Sequence, residues 1–129
     1  MTNKLKTDFE FKAQYRYADM SPRKIRPFAT LIRGKVADEA LELLRFLPNK
    51  SARLLEATLK SALGNAEDRG ARNLDDLVVT EARIDGGPIL KRHMPRARGT
   101  AYPIKRRYAH IHITLTDLEL MDEQRESEE

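Results

Sequence analysis

An α+β domain carrying a long basic β-hairpin is the fold that the sequence predicts. Three observations lead there. A period-two stretch opens the chain at residues 11–17, helical periodicity occupies residues 21–69, and two alternating, β-branched stretches follow at 77–87 and 104–116. The 129 residues suit one ordinary domain, expected over residues 1–117, with an acidic tail over 118–129 expected to be disordered.

The elements follow in order. In residues 11–17, Phe11, Ala13, Tyr15 and Tyr17 alternate with Lys12, Gln14 and Arg16, which predicts a half-buried strand. Ser21 and Pro22 read as an N-cap and the first helical position, and the segment runs to Arg33 with Gly34 as its stop. Pro27 removes a helical donor at a cost of roughly 3 kcal/mol, so the helix either kinks there or properly begins there, the kinked start being the favoured expectation. Residues 37–47 place Ala40, Leu43, Leu44 and Leu47 on one face, and Pro48-Asn49 ends that helix. In residues 50–69 a stripe of Leu55, Leu59, Ala62, Leu63 and Ala66 predicts a core-facing helix. Arg53, Glu56, Lys60 and Glu67 are expected to face out, and Gly70 closes the segment. The pair Asp75-Asp76 reads as a turn. The last two strands predict a hairpin with its midpoint near Arg96 and a reach of roughly 50–60 Å at ~3.3 Å per residue. On the returning strand Ile111, Ile113 and Leu115 point one way, and His110, His112 and Thr114 the other.

Charge is sorted along this framework. There are 24 Lys plus Arg against 20 Asp plus Glu, a net charge of only +4. Residues 86–116 hold seven cations and no acid, whereas residues 117–129 carry a net charge of −6. The outer hairpin, about 86–110, has too few apolar residues for a core of its own. A basic arm of this kind suits a polyanion, either nucleic acid or an anionic membrane face.

Several function classes are excluded or disfavoured. Without cysteine there is no disulfide, thiol nucleophile or Cys-based metal site. No apolar run approaches the ~20 residues of a membrane span, and the N-terminal segment has no signal-peptide stretch, so a cytoplasmic location and no membrane partner are expected. His93, His110 and His112 all lie in the basic block, where no carboxylate completes a metal site and the cations repel a metal ion. Phosphate-binding glycine loops and a GxSxG elbow are missing. No catalytic residue, metal or cofactor is therefore assigned.

The positive signal is KRHMPRARGTAYPIKRR, residues 91–107. Arg96 and Arg98 alternate with the small Ala97 and Gly99, which permit close backbone approach. Pro95 and Pro103 stiffen the arm and deter edge pairing. Tyr102 and Tyr108 offer stacking surfaces for unpaired bases. Lys91, Arg92, Lys105, Arg106 and Arg107 line the shaft, and the Arg fork suits phosphate. A second basic cluster, Arg23, Lys24, Arg26, Arg33 and Lys35, accompanies the first helix.

SPRKIRPFATLIRGK (21–35), the helical stretch 37–67 and GGPILKRHMPRARGTAYPIKRRYAHIHITL (86–115), taken in this order, resemble the bacterial-type large-subunit ribosomal protein L-twenty-two family over roughly residues 11–117. The most specific part is Lys91, then Arg96-Ala97-Arg98-Gly99, then His110-Ile111-His112-Ile113-Thr114-Leu115. The resemblance implies three helices packed on a small antiparallel three-stranded sheet with a protruding hairpin. It also implies a structural, rRNA-binding role in the large subunit, with early assembly, clamping of several rRNA domains and a hairpin tip lining the nascent-peptide exit tunnel. Implied partners are 23S-type rRNA, neighbouring large-subunit proteins and the nascent peptide, with no homo-oligomer. Carried over by position, Arg23, Lys24 and Arg26 match a body contact to rRNA. Lys91, Arg92, Lys105, Arg106 and Arg107 match the shaft, Arg96, Ala97, Arg98, Gly99 and Thr100 the tip, and His110 the base of the returning strand. Thr100 stands where a basic or amide side chain is more usual, Pro27 where an aliphatic one is, and Gly64 where Ala is, at up to ~1 kcal/mol of helix propensity. Two rival classes remain at this level. A DNA-bending β-arm protein would need duplex affinity and a dimer face, and an RNA-processing enzyme would need an assembled acid–base or metal site.

Overall fold

The centre of the sheet is β3 (Ala101–Asp117), and the other elements are arranged about it. A computed structural model of the chain describes residues 10–71, 77–118 and 125–127. Both β1 (Glu10–Ala18) and β2 (Leu77–Pro95) pair antiparallel with β3, so the sheet order is β1-β3-β2. Between β1 and β2 run α1 (Pro22–Ile32), α2 (Ala37–Phe46) and α3 (Lys50–Asp68). The α+β class and its helices on a three-stranded antiparallel sheet are as expected.

Register explains where the core lies. Phe11 faces Leu115 and Ala13 faces Ile113, while Val79, Ala82 and Ile84 face Leu115, Ile113 and Ile111. Cross-strand partners share a face, so these residues make one apolar surface. The helices α1 and α3 lie against the sheet and α2 packs on α3. Ile25, Ile32, Leu44, Leu55 and Leu59 join this surface in one buried cluster. At roughly 1.5–3 kcal/mol per buried large aliphatic side chain, this layer is the main stabilising contribution.

The first helix runs through Pro27 and does not begin there. Its missing donor is offset because Ile25, Ala29 and Ile32, on both sides of Pro27, are fully buried. Ser21 occupies the N-cap position in extended backbone but makes no side-chain cap hydrogen bond. Past the helix, Gly34 takes φ +79, a left-handed conformation that costs glycine nothing. Its N–H donates to the Val79 carbonyl at 2.8 Å, and the Val79 N–H donates to the Lys35 carbonyl at 2.9 Å, which fixes the α1–α2 connection to β2.

In α2, Ala40 and Leu44 are buried while Leu43 and Leu47 are only half-buried. The stripe of α3 is buried as expected apart from the half-buried Leu63. One outward assignment is overturned: Glu56 is 8% exposed, because Arg45, Arg53 and Lys60 close over it. The alternation in β1 also fails at its end. Phe11 and Ala13 are buried, but Tyr15 and Tyr17 are exposed and Ala18 takes the inward place. Tyr15 still stands opposite Ile111, whereas an extra residue in β1 between Tyr15 and Ala18, with Tyr17 at φ +60, turns Tyr17 away from the core.

Further extra residues lie in β2, between Val79 and Glu81 and between Gly86 and Ile89, so β3 itself keeps a regular alternation. The β2–β3 ladder continues to Pro95 opposite Ala101, and a 3-10 turn at Ala97–Gly99 joins the strands. The hairpin therefore turns at Arg98, two residues beyond the expected midpoint. The 19 residues of β2 span about 60 Å, roughly half of it beyond Gly86. Asp75-Asp76 and most of the acidic tail lie outside the described residues.

Candidate nucleic-acid interface

Beyond Gly86 the two strands have no helix layer to cover them, and residues 91–107 are exposed except for the half-buried Ile104. Alternation along β3 distributes the cations over both faces. Lys91, His93, Lys105 and Arg107 lie on the face that continues the helix side of the sheet, and Arg92 and Arg106 on the other. Lys91 stands directly opposite Lys105. Like charges in that position repel, and no ion pair among the described residues engages Lys91, Arg98, Lys105, Arg106 or Arg107. The arm is thus charged beyond what its own stability favours, which suits a surface that meets a polyanion.

At the tip, Arg98 (φ +64) and Gly99 (φ +70) are both left-handed. For Arg98 this conformation costs about 1–2 kcal/mol, and two hydrogen bonds hold the turn around it. The Arg96 N–H donates to the Thr100 carbonyl at 2.7 Å, and the Thr100 hydroxyl donates to the Ala97 carbonyl at 2.6 Å. Thr100 therefore closes the turn from within. The Arg96 guanidinium lies 5.7 Å from the Tyr102 ring centroid, a cation–π distance, and the two line a shallow recess with Ala97 and Thr100.

The body cluster divides. Arg23 and Arg26 of α1 and Arg107 of the arm line one cleft with Ser21, Pro22 and Gly86, where the arm leaves the body. Arg33 is occupied otherwise: its Nε and one terminal nitrogen both donate to the Ala82 carbonyl, at 2.9 and 2.7 Å. Arg26 also donates to the Ile84 carbonyl at 3.3 Å. These two arginines tie α1 to β2. Lys24 is exposed on α1, and Lys35 is exposed just beyond it.

Two histidines meet different partners. His112 Nε2 lies 3.1 Å from an Asp85 carboxylate oxygen, and Arg83 Nε lies 3.1 Å from the same oxygen. The sequence reading missed this pairing because Asp85 lies one residue outside the acid-free block. His110 accepts the Tyr17 backbone N–H on Nδ1 at 3.1 Å, and the two rings meet edge to face with centroids 5.0 Å apart. Tyr17 had no assigned role in the sequence; its only signal was an aromatic at the end of an alternating run. Among the described residues no group of His, Asp and Glu is arranged to hold a metal ion.

The glycine at 87 sets how closely the strands approach at the arm's base. A Cβ there would lie 2.9 Å from the Tyr108 carbonyl oxygen. Away from the arm, Glu56 lies 2.7 Å from Arg53, 3.2 Å from Lys60 and 3.5 Å from Arg45. Burial pushes its carboxyl up, but the Lys60 hydrogen bond and the charges of Arg53, Lys60 and Arg45 outweigh this and hold it below the ordinary value. Arg53 also donates to the Leu44, Arg45 and Leu47 carbonyls, closing the end of α2.

The sequence profile of a family described as Ribosomal protein L22p/L17e matches residues 13–116. The chain is similar to the Large ribosomal subunit protein uL22 of Rhodopirellula baltica, 45% identical over 115 residues, covering 85% of this chain and 97% of the relative. Proteins of the same name from Caldicellulosiruptor saccharolyticus and Opitutus terrae are 44% and 47% identical. The first alignment covers 92% of this chain and all of the relative, and the second covers 84% and 96%.

Proposed function

Because the chain belongs to the Ribosomal protein L22p/L17e family, we propose that it grips large-subunit rRNA at two places joined by one continuous sheet. It is a structural ribosomal protein of the large subunit, and not an enzyme. The first grip is the cleft of Arg23, Arg26 and Arg107, and the second is the outer arm, with Lys91, Arg92, Lys105 and Arg106 on its shaft and Arg96 and Arg98 at its tip. The tip lies about 30 Å beyond Gly86 at the rise of a β-strand, so the two grips engage separate rRNA segments and clamp them. Binding replaces counterions on crowded phosphates, and the stiff arm follows an RNA crevice by shape. An arm that orders several rRNA segments acts early in subunit assembly. The closed turn at Ala97–Gly99 is the part of the chain that would line the exit tunnel and meet the nascent peptide.

The observation that carries this reading is the exposed row of cations, most of which no ion pair among the described residues engages, on a ladder that sets Lys91 against Lys105. Its test is sedimentation of the tagged protein from lysate, followed by a high-salt wash of the large-subunit fraction. Retention through the wash is expected, as is loss of retention when Arg23, Arg26 and Arg107 are replaced by Ala together. Recovery only at the top of the gradient sinks the reading.

A further inference from the structure

We propose that Tyr17 and His110 form a binding site for an unpaired nucleobase, on the side of the sheet opposite the arginine cleft; this deepens the rRNA-binding reading and rests on it. β3 alternates without interruption, so Arg107 and Ala109 face the helix side and His110 faces away from it. There the bulge in β1 holds Tyr17 at φ +60, a conformation unfavourable for a residue with a Cβ. In its place Ala18 enters the core, and the Tyr17 ring is 63% exposed. An uninterrupted strand would have turned that ring inward, as it does Phe11. The structure instead keeps a strained backbone that presents an aromatic surface to solvent.

His110 braces this arrangement. With Nδ1 accepting the Tyr17 N–H, the neutral imidazole carries its one N–H on Nε2, a donor of fixed direction beside the exposed ring. The edge-to-face contact holds the Tyr17 ring at 84° to the imidazole. A π-surface with an adjacent single donor matches the face and edge of a nucleobase. Beside His110 phosphate is the poorer fit, because Asp85 stands opposite it in the ladder and the cation of that stretch, Arg83, is paired with both Asp85 and Glu81. At the arm's base the chain thus meets phosphate on the helix side, at Arg23, Arg26 and Arg107, and a base on the other.

The test uses the full chain with Rhodopirellula baltica large-subunit rRNA transcribed with 4-thiouridine. Irradiation of the wild-type complex is expected to crosslink Tyr17 itself, located by fragmentation of the tryptic peptide covering residues 17–23, apart from Arg23 of the cleft. Replacing the ring, Tyr17→Leu, is expected to weaken binding about tenfold, the size of one stacked base, without changing the salt slope. Tyr17→Phe keeps the ring face and retains wild-type affinity. Wild-type affinity in Tyr17→Leu, equal weakening in Tyr17→Phe, or no crosslink at Tyr17 overturns this site while rRNA binding stands. Failure of the wild-type chain to bind the transcript overturns both readings.

Discussion

Glu56 illustrates how little a single side chain's charge says about its surroundings. By helical spacing it belongs with Arg53 and Lys60 on the outer face of α3, yet it is buried beneath three cations. Its raised acidity carries a sign for stability. The folded protein holds Glu56 ionised to lower pH than the unfolded chain does, so the contribution is fully present above the ordinary glutamate value of 4.5. It is lost as the pH falls through the lower folded value. A Glu56→Gln variant should therefore melt below wild type at neutral pH and converge with it in acid, in thermal scans over that window. Gly64 is the opposite case. It is exposed in α3, and a Cβ there meets nothing within 4 Å. Gly64→Ala should stabilise the protein by about 0.5–1 kcal/mol in urea unfolding, since only helix propensity changes.

Elements are joined here by cation-to-carbonyl contacts as much as by apolar packing. Arg33 and Arg26 fasten α1 to β2, and Arg53 fastens the end of α2 to α3. Arg33, grouped in the sequence with the rRNA-binding cations, spends two of its donors on the Ala82 carbonyl. At the arm's base, β1 and β2 each carry an extra residue while β3 does not, so both outer strands bend around a regular centre. Gly87 sits in the β2 irregularity against the Tyr108 backbone. Gly87→Ala should destabilise the fold by about 1–3 kcal/mol, because carbonyl backbone cannot move aside as a side-chain end can. Chemical denaturation of the pair measures it; equal midpoints would mean the strands can separate without loss.

Across the whole molecule, stability and charge are divided between two regions. The buried cluster ends at Ile84 and Ala109, and the exposed arm beyond adds cations without adding core. Replacing residues 89–107 by a tight turn should leave the melting temperature within a few degrees, while rRNA affinity falls. In the intact chain, contacts to roughly five phosphates of single-stranded character give a log–log salt slope of about −3.5, and the shortened chain should lose most of it. Unchanged slopes in filter binding at several salt concentrations would mean the arm is not the electrostatic element.

The sequence alone determined the helices, the strands and the exposed basic arm. Those depend on periodicity, on Pro and Gly punctuation and on the absence of acids from 86–116, all of them local quantities. Cations at the shaft and tip were legible for the same reason, as charges without apolar company. Only the tertiary structure decided which cations share a surface. Arg107 lines one cleft with Arg23 and Arg26 because β3 passes beside α1, and Arg33, though exposed, is tied to the Ala82 carbonyl. The roles of Tyr17 and Gly87 were likewise invisible beforehand. An extra residue in an edge strand leaves almost no compositional trace, yet it reverses which side chains face the core, and its position is set by pairing with a strand some ninety residues away.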